Sequence, residues 1–234
     1  MSLSHSPKIT TNGLVCCLDA NDPKSYSGSG STCFDRSSSK QNGTLSNITF
    51  SNNQFEFNGT TSQIQLVGSS SLFNLSEYTF LGWFKTPTFG SRSGSDIYEL
   101  FSKWGNTSGL ATVVSLDIRA SDNRLRARCS DAITRFTTTG SVLESDIWYL
   151  IGVQFKDGLL QIYLNGELDG SSNTGAVAPT TNGADLYIGR FDFSWGGYAH
   201  FFEGLLGSVL VYNKGLSLEE HKQNYNATKS RFGK

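Results

Sequence analysis

Short apolar stretches follow one another along the chain, and residues that favour turns separate them. The stretch Leu14–Leu18 is apolar and ends at the polar residues 19–23. Apolar and polar residues then alternate in Phe55–Phe57 and again in Ile64–Leu66, with Asn58-Gly59 between them. Alternation places every second side chain on one face of a strand, and Asn-Gly favours a tight turn. These two segments therefore predict a β-hairpin with one buried face.

The clearest pattern lies in the segment Trp148–Gly170. Two turn dipeptides, Asp157-Gly158 and Asn165-Gly166, each have apolar stretches on both sides. Both suit type I′ turns, whose positive φ angles match the twist of paired strands. The segment therefore predicts a three-stranded antiparallel meander, with strands at 148–156, 159–164 and 167–170.

In the segment Tyr78–Lys85, apolar side chains occupy both the odd and the even positions. Phe80 and Phe84 share one face of a strand, and Leu81 and Trp83 share the other. This pattern predicts a strand that is covered on both faces. Further strands are predicted at 97–104, 112–118, 123–129, 185–190 and 201–212.

A helix is predicted near the end of the chain. Ser217 stands three residues before Glu220, which is the spacing of a capping box, and Leu218 and Tyr225 share one face of a helix over about 217–229. About a dozen short strands with one late helix predict an all-β fold, a two-sheet antiparallel sandwich. We expect an N-terminal arm at 1–12 and one sandwich domain at 13–234 that includes this helix.

Charge argues against a nucleic-acid partner. The 234 residues carry 19 Lys and Arg against 20 Asp and Glu, a net charge of −1, whereas a protein that binds a phosphate backbone needs a concentrated positive face. Arg124, Arg126 and Arg128 form a stripe along one predicted strand, which we interpret as a solvated face or structural ion pairing. No apolar stretch is long enough to span a bilayer, so no membrane partner is expected.

The cysteines and the N-terminal residues favour synthesis in a cytosol. Residues 1–8 have neither the apolar core nor the small-residue cleavage site of a secretory signal peptide. Cys16 and Cys17 are adjacent in a predicted strand, so their side chains point to opposite faces and form a poor disulfide framework with Cys33 and Cys129. We expect four reduced thiols.

Five short motifs follow one another in a definite order. They are Phe-x-Phe-x-Gly at 55–59, Thr-Phe-x-x-Trp-Phe at 79–84, Ile-Tyr-Leu-Asn-Gly at 162–166, Leu-Tyr-Ile-Gly-Arg at 186–190, and Phe-x-Gly-x-x-Gly-x-Val-x-Val-Tyr-Asn at 202–213. Their order resembles that of the concanavalin A-like lectin/glucanase superfamily, in its laminin-G or pentraxin-like branch. The resemblance covers about residues 13–229 and implies a jelly roll of two curved antiparallel sheets.

Both ends of the chain carry a narrower pattern. Gly-Leu-Val-x-x-Leu-Asp-Ala at 13–20 and Asn-Tyr-Asn-Ala-x-Lys-Ser-Arg-Phe-Gly at 224–233 resemble a form of this fold found in tailed-phage virion proteins, although Cys33 stands where those relatives usually have tryptophan. The resemblance implies a virion location after synthesis in the host cytoplasm, with other virion proteins as partners and host-surface glycans as a further partner. It is also compatible with a homo-oligomer, since fibre and decoration proteins tend to sit on symmetry axes.

No catalytic residues are expected. Glucanases that share the fold resemble one another in a Glu-x-Asp-x-x-Glu strand motif, and this chain has only the acidic pairs Asp96/Glu99, Glu167/Asp169 and Glu219/Glu220. His200 stands beside Phe201 in a pattern more typical of a half-buried strand residue than of a general base. We therefore expect that the chain is not an enzyme and needs no cofactor.

A calcium site is an open alternative. Many members of the resembled family bind calcium through loop oxygens, and Asp19, Asp22 and Asp35 lie near one another in sequence. Ser208 stands where relatives often carry an acid, and the loss of an anionic ligand weakens such a site. We expect no metal, with these aspartates capping turns instead.

Aromatic and polar residues concentrate in the segment Phe191–Tyr198. Sugar sites on such sandwiches combine an aromatic plane with amide and carboxylate hydrogen-bond partners. The alternative interpretation is that these rings close one end of the sandwich or pack against a neighbouring subunit. The candidate glycan-binding or partner-binding residues are Trp104, Asn106, Phe191, Asp192, Phe193, Trp195 and Tyr198.

Two function classes stay open at this point. The first is a non-catalytic virion structural or display protein, either a capsid decoration protein or a fibre module, with host-surface glycans as ligands. The second is a soluble carbohydrate-binding lectin module without a virion role. A hydrolase is the third and least favoured alternative.

Overall fold

The computed structural model describes residues 8–67, 76–86, 89, 97–104, 112–130, 135–173, 184–193 and 198–234. For residues 104, 112, 135, 173, 192, 193, 198 and 199 it describes the backbone alone. In this part of the chain, no helix is both long and apolar enough to cross a lipid bilayer.

Strands dominate the described residues. In chain order they are β1 (Leu14–Asp19), β2 (Thr32–Cys33), β3 (Gly43–Ser46), β4 (Thr49–Ser51), β5 (Gln54–Asn58), β6 (Gln63–Leu66), β7 (Tyr78–Lys85), β8 (Ile97–Trp104), β9 (Thr112–Arg119), β10 (Arg124–Ser130), β11 (Arg135–Val142), β12 (Tyr149–Lys156), β13 (Leu159–Leu164), β14 (Glu167–Asn173), β15 (Leu186–Ile188), β16 (Arg190–Phe193), β17 (Tyr198–Phe201) and β18 (Glu203–Tyr212). The helix α1 (Leu218–Thr228) and a 3-10 turn (Lys229–Phe232) follow.

The strands form two large antiparallel sheets and one separate pair. The first sheet runs β14-β13-β12-β7-β18-β5-β4, and β1 also pairs with β18. The second runs β11-β10-β9-β8-β15-β6-β3-β2, while β16 pairs only with β17 among the described strands. The predicted all-β architecture, a two-sheet sandwich with one short C-terminal helix, is confirmed.

One apolar core lies between the two sheets. Its side chains come from alternate positions of the strands, as the pleat of a half-buried strand requires, and each large side chain buried there contributes about 1.5–3 kcal/mol. The first sheet contributes Phe55, Phe57, Tyr78, Phe80, Phe84, Val153 and Ile162, and the second contributes Tyr98, Phe101, Leu116, Ile118, Leu125 and Ala127.

A second apolar cluster covers the opposite face of the first sheet. Leu81 and Trp83 of β7 point into it, which confirms that β7 is covered on both faces. The Trp83 ring stacks on Phe232 at a centroid distance of 4.3 Å, and its Nε1 donates to Thr228 Oγ1 at 2.8 Å. Helix α1 and the 3-10 turn are thereby fixed to the sheet.

The described end of the predicted N-terminal arm is bound to the same face. The Thr10 N–H donates to Asn224 Oδ1 at 2.9 Å, and the Tyr212 hydroxyl donates to the Thr10 carbonyl at 2.9 Å. Both bonds join positions far apart in sequence, so Thr10 is held against α1 and β18.

The meander of β12, β13 and β14 is confirmed with its two turns. Asp157 and Gly158 have φ angles of 49° and 72°, and Asn165 and Gly166 have 52° and 85°. These are the left-handed values that type I′ turns require. The third strand extends to Asn173, beyond the predicted end at 170.

The predicted hairpin around Asn58-Gly59 is wrong. Strand β5 pairs with β4 and β18 in the first sheet, whereas β6 pairs with β3 and β15 in the second. The connection crosses between the sheets, with Asn58 Oδ1 accepting from three following backbone N–H groups. Alternation defines which face of a strand is buried, but it does not define the neighbouring strand.

Candidate functional site

The second sheet carries a polar layer on the face opposite the core. In β8, β9 and β10, core side chains alternate with charged or hydroxyl side chains, so the two kinds lie on opposite faces. Several of these polar side chains are almost without exposure, although charged side chains are rarely buried unless they are paired. The layer contains Glu99, Ser115, Asp117, Arg126 and Arg128.

Hydrogen bonds and ion pairs join these five side chains into one network. Glu99 and Asp117 are cross-strand neighbours on β8 and β9. Ser115 Oγ donates to Glu99 Oε1 at 2.8 Å. Asp117 accepts from Arg126 Nε at 3.0 Å and from Arg128 Nη2 at 2.8 Å. Two arginines of the predicted stripe, Arg126 and Arg128, therefore form structural ion pairs.

The two carboxyl groups have different surroundings. Both are 0% exposed, but only Asp117 is held directly by two guanidinium groups. Glu99 Oε2 lies 3.8 Å from Arg128 Nη2 and accepts no hydrogen bond within the described residues. Burial raises the pKa of Glu99 well above its usual range, and the charge of Asp117 raises it further, while Arg128 opposes both. A carboxyl group with a raised pKa beside a second carboxyl group that guanidinium groups hold is an arrangement that acid–base chemistry uses.

The β16–β17 hairpin covers this layer. Its first strand is fixed to β8, because Ser102 Oγ donates to the Arg190 carbonyl at 2.7 Å. The Phe191 ring is 0% exposed and lies 5.9 Å from the Arg128 guanidinium carbon and 5.9 Å from the His200 ring. The described flanks of the predicted aromatic segment therefore form a strand pair that is anchored on the charged network.

The predicted site residues fall into three groups. The Phe191 ring packs inside the protein and offers no open face to a ligand in this conformation. The backbones of Asp192, Phe193 and Tyr198 lie in the hairpin, and the backbone of Trp104 ends β8. Asn106 and Trp195 lie outside the described residues.

Glu99 and Asp117 were missed as a pair by sequence reasoning. The Glu-x-Asp-x-x-Glu motif places carboxylates close together along one strand. Glu99 and Asp117 instead lie on different strands and meet only through the pairing of β8 with β9. The sequence shows polar residues at alternate positions of the two predicted strands. This pattern indicates which strand face carries the carboxyl groups, but it does not indicate the register in which the two strands pair.

The aspartates considered for calcium make bonds within the protein. Asp35 is 2% exposed, and its carboxylate accepts from three backbone N–H groups at 2.8 Å each. Asp22 pairs with Arg36 at 3.2 Å, and Asp19 pairs with Arg231. Among the described residues, no three His, Cys, Asp or Glu side chains are grouped as metal ligands would be. The contacts of Asp35 are those of capping and turn chemistry, whereas Asp19 and Asp22 also form ion pairs.

This fold and its motifs define the class of protein. The chain belongs to the concanavalin A-like lectin/glucanases superfamily, because a laminin-G family model with that description matches residues 58–220. The laminin-G resemblance inferred from the motifs is confirmed. No curated protein matches the chain in sequence.

Solved structures share the whole sandwich. A Trypanosoma rangeli sialidase in complex with 2,3-difluorosialic acid, described as a covalent intermediate, matches 96% of this chain at 19% identity and a TM-score of 0.71. The same sialidase in complex with sialic acid matches 96% at 19% identity and a TM-score of 0.71. The binding domain of botulinum neurotoxin DC in complex with SialylT matches 93% at 12% identity and a TM-score of 0.67.

The matched part is a fraction of those proteins. This chain covers 34% of each sialidase chain and 52% of the neurotoxin binding domain. At these identities the matches show a shared fold. They correct one expectation from the sequence: the prediction that the chain is not an enzyme is contradicted, since enzymes are among the structures that contain this sandwich.

Proposed function

We propose that this chain is a glycan-binding module. The proposal rests on the membership of the chain in a lectin-like superfamily. Two solved structures of the same fold support it, since one is a complex with sialic acid and the other is a complex with SialylT. Sugar recognition needs aromatic planes and hydrogen-bonding groups held in place, since preorganisation lowers the entropic cost of binding.

The β16–β17 hairpin is the proposed platform. Phe191, buried against Arg128, and the bond from Ser102 to the Arg190 carbonyl fix the base of the hairpin. The sequence from Phe191 to Tyr198 has the composition of a sugar site, with Asp192, Phe193, Trp195 and Tyr198. A fixed base that carries aromatic and polar residues is the arrangement that a weak, selective sugar contact requires.

A glycan array that carries host-envelope sugars tests the proposal. We expect a hit with a dissociation constant between micromolar and millimolar, and loss of that binding in Trp195→Ala. Phe34→Ala is the matched control, because Phe34 is an exposed ring outside the hairpin. Equal binding by Trp195→Ala and the unchanged chain would remove the hairpin as the platform.

A virion role is the narrower form of the proposal. The ends of the chain at 13–20 and 224–233 support it through their resemblance to tailed-phage virion proteins. It implies binding to other virion proteins and, for a fibre or decoration protein, a symmetric oligomer. Mass spectrometry of washed particles should then detect the chain in stoichiometric amount, and its absence would leave a lectin module without a virion role.

Glycoside hydrolysis is a second candidate, which the Glu99–Asp117 pair favours. Glycosidases use a carboxyl group with a raised pKa as an acid beside a second carboxyl group, and burial raises the pKa of Glu99, which lies beside Asp117. Both groups are covered in this conformation, so the hairpin must move for a sugar to reach them. Release of reducing ends from a polysaccharide panel that disappears in Glu99→Gln would support hydrolysis, and a panel without release would reject it.

A further inference from the structure

A small cavity lies at one edge of the first sheet, away from the hairpin. Four segments meet there: the turn after β1, the tip of the β4–β5 hairpin, strand β18, and the 3-10 turn after α1. The cavity has a volume of about 170 Å³ and is lined by Asn21, Asn52, Asn53, Gln54, Gly207, Arg231 and Phe232. That volume suits one sugar ring, since pockets for drug-sized ligands run from roughly 300 to 1,000 Å³.

Four of these lining residues carry side-chain amides. Within the described part of the chain, none of the four amide side chains makes a hydrogen bond to the protein. Each amide offers two N–H donors and one carbonyl acceptor. The hydroxyl groups of a sugar also donate and accept, so a ring of amides is complementary to them.

The β4–β5 turn places two of the amides firmly. Asn52 and Asn53 have φ angles of 50° and 58°, the left-handed pair of a type I′ turn. Behind the turn, the Phe50 and Phe55 rings each pack edge-on to Tyr26 at about 5 Å. The turn is thus held by the core, and the cavity does not depend on a loose loop.

The opposite wall is held by an ion pair and a ring stack. Arg231 donates through Nη1 and Nη2 to the two oxygens of Asp19 at 2.8 Å and 2.6 Å. A guanidinium group has five N–H donors, so three remain. Phe232 is fixed by its stack on Trp83. Because Asp19 offsets the charge of Arg231, the wall offers donors and an aromatic edge without net charge.

We propose that this cavity binds a single neutral pyranose, either a hexose or an N-acetylhexosamine unit of a host-surface glycan. The inference rests on the proposed glycan-binding function and assigns it a second site. Four lining amides that make no hydrogen bond within the described residues favour hydroxyl groups as ligands, the paired charge of Arg231 disfavours an anionic sugar, and the volume admits one ring.

Side-chain amide signals in 15N–1H NMR spectra test this directly. The whole chain is titrated separately with glucose, galactose, mannose, N-acetylglucosamine and N-acetylneuraminic acid at millimolar concentrations. We expect saturable shifts in the NH2 signals of Asn21, Asn52, Asn53 and Gln54 with at least one neutral sugar, and smaller shifts with N-acetylneuraminic acid.

Glycine variants give the matched comparison. Asn52→Gly with Asn53→Gly removes both amides yet keeps the positive φ angles, which glycine adopts without cost. Asn123→Gly is the control, because Asn123 has a φ of 56° in a turn of the second sheet. The double variant should bind the neutral sugar about tenfold more weakly or worse, and the control should bind it unchanged.

The remaining outcomes overturn the inference in distinguishable ways. Shifts confined to residues 190–201 would reject this cavity and leave the proposed glycan-binding function in place. Preferential shifts with N-acetylneuraminic acid would reject a neutral ligand. The absence of shifts with every sugar, together with an empty glycan array, would reject both the cavity and the proposed function.

Discussion

Stability measurements can separate the contributions of the two buried carboxyl groups in the second sheet. Asp117 forms ion pairs with both Arg126 and Arg128, whereas Glu99 lies beside the same arginines with a raised pKa. A buried ion pair that loses one partner leaves an uncompensated charge, and this costs far more than the pair contributes. The two carboxyl groups should therefore respond oppositely to amidation.

We expect Asp117→Asn to lower the free energy of unfolding by about 3–5 kcal/mol. Glu99→Gln should be neutral or stabilising at pH 8. A raised native pKa stabilises the fold below the pKa of the unfolded state, and this contribution is lost as the pH rises. The advantage of Glu99→Gln should thus grow with pH in urea unfolding experiments. Equal destabilisation by the two variants would contradict the described network.

His221 predicts a second pH dependence of opposite sign. It is 1% exposed, its ring stacks on Tyr163 at 3.5 Å, and its Nε2 lies 3.1 Å from Gln154 Oε1. Burial lowers the pKa of His221 to about 3, and Lys156 lowers it slightly while Glu220 opposes the shift. The unfolded chain binds a proton near pH 6.5, but the native chain does not.

Stability should therefore fall as the pH decreases below 6.5, by at most about 1.4 kcal/mol per pH unit from this group. Urea unfolding between pH 6.5 and 5 measures the slope before most carboxylates titrate. We expect His221→Gln to flatten it. Identical slopes in the variant and the unchanged chain would refute the role of His221.

At the scale of elements, the β13–β14 turn and α1 define each other's position. Gly166 has a φ of +85°, and a Cβ there would lie 3.1 Å from Tyr225 Cβ and 3.2 Å from Lys222 Cα. The turn can approach the helix only because position 166 has no side chain. The sequence signal Asn165-Gly166 predicted the turn, but it did not show that the glycine also makes room for α1.

Gly166→Ala should lower stability by about 2–4 kcal/mol, the sum of left-handed strain and a clash with α1. Gly30→Ala is the control for strain alone, since Gly30 has a φ of +90° and no atom within 4 Å of an added Cβ. We expect a loss of about 1–2 kcal/mol there. Urea unfolding compares the two variants, and an equal loss would show that the contact with the helix contributes nothing.

Strands, turns and the helix could be predicted where neighbouring residues in the sequence determine them. The meander follows from its two left-handed turns, the covered strand β7 from apolar side chains on both faces, and α1 from Ser217 and Glu220, which form both bonds of the capping box. The β5–β6 hairpin failed because Asn58-Gly59 defines a turn without defining the sheet to which the next strand belongs. Partner choice depends on the whole core, which no local pattern contains.

At the scale of the molecule, only part of the candidate site could be predicted. The aromatic segment at 191–198 was visible as composition, and the structure describes its flanks as a hairpin over the second sheet. The pair of Glu99 with Asp117 depends on strand register. The amide-lined cavity brings together Asn21, Asn52 and Arg231, from three distant parts of the sequence. Such sites exist only after the sandwich has closed.

The central claim is that this sandwich binds sugar, and saturation-transfer NMR tests it most directly because the method detects weak complexes. The whole chain is mixed with oligosaccharides from host envelopes, and the protein signals are saturated. The account predicts transfer to the ring protons of at least one glycan. The absence of transfer to every glycan, as in a sample without protein, would contradict it.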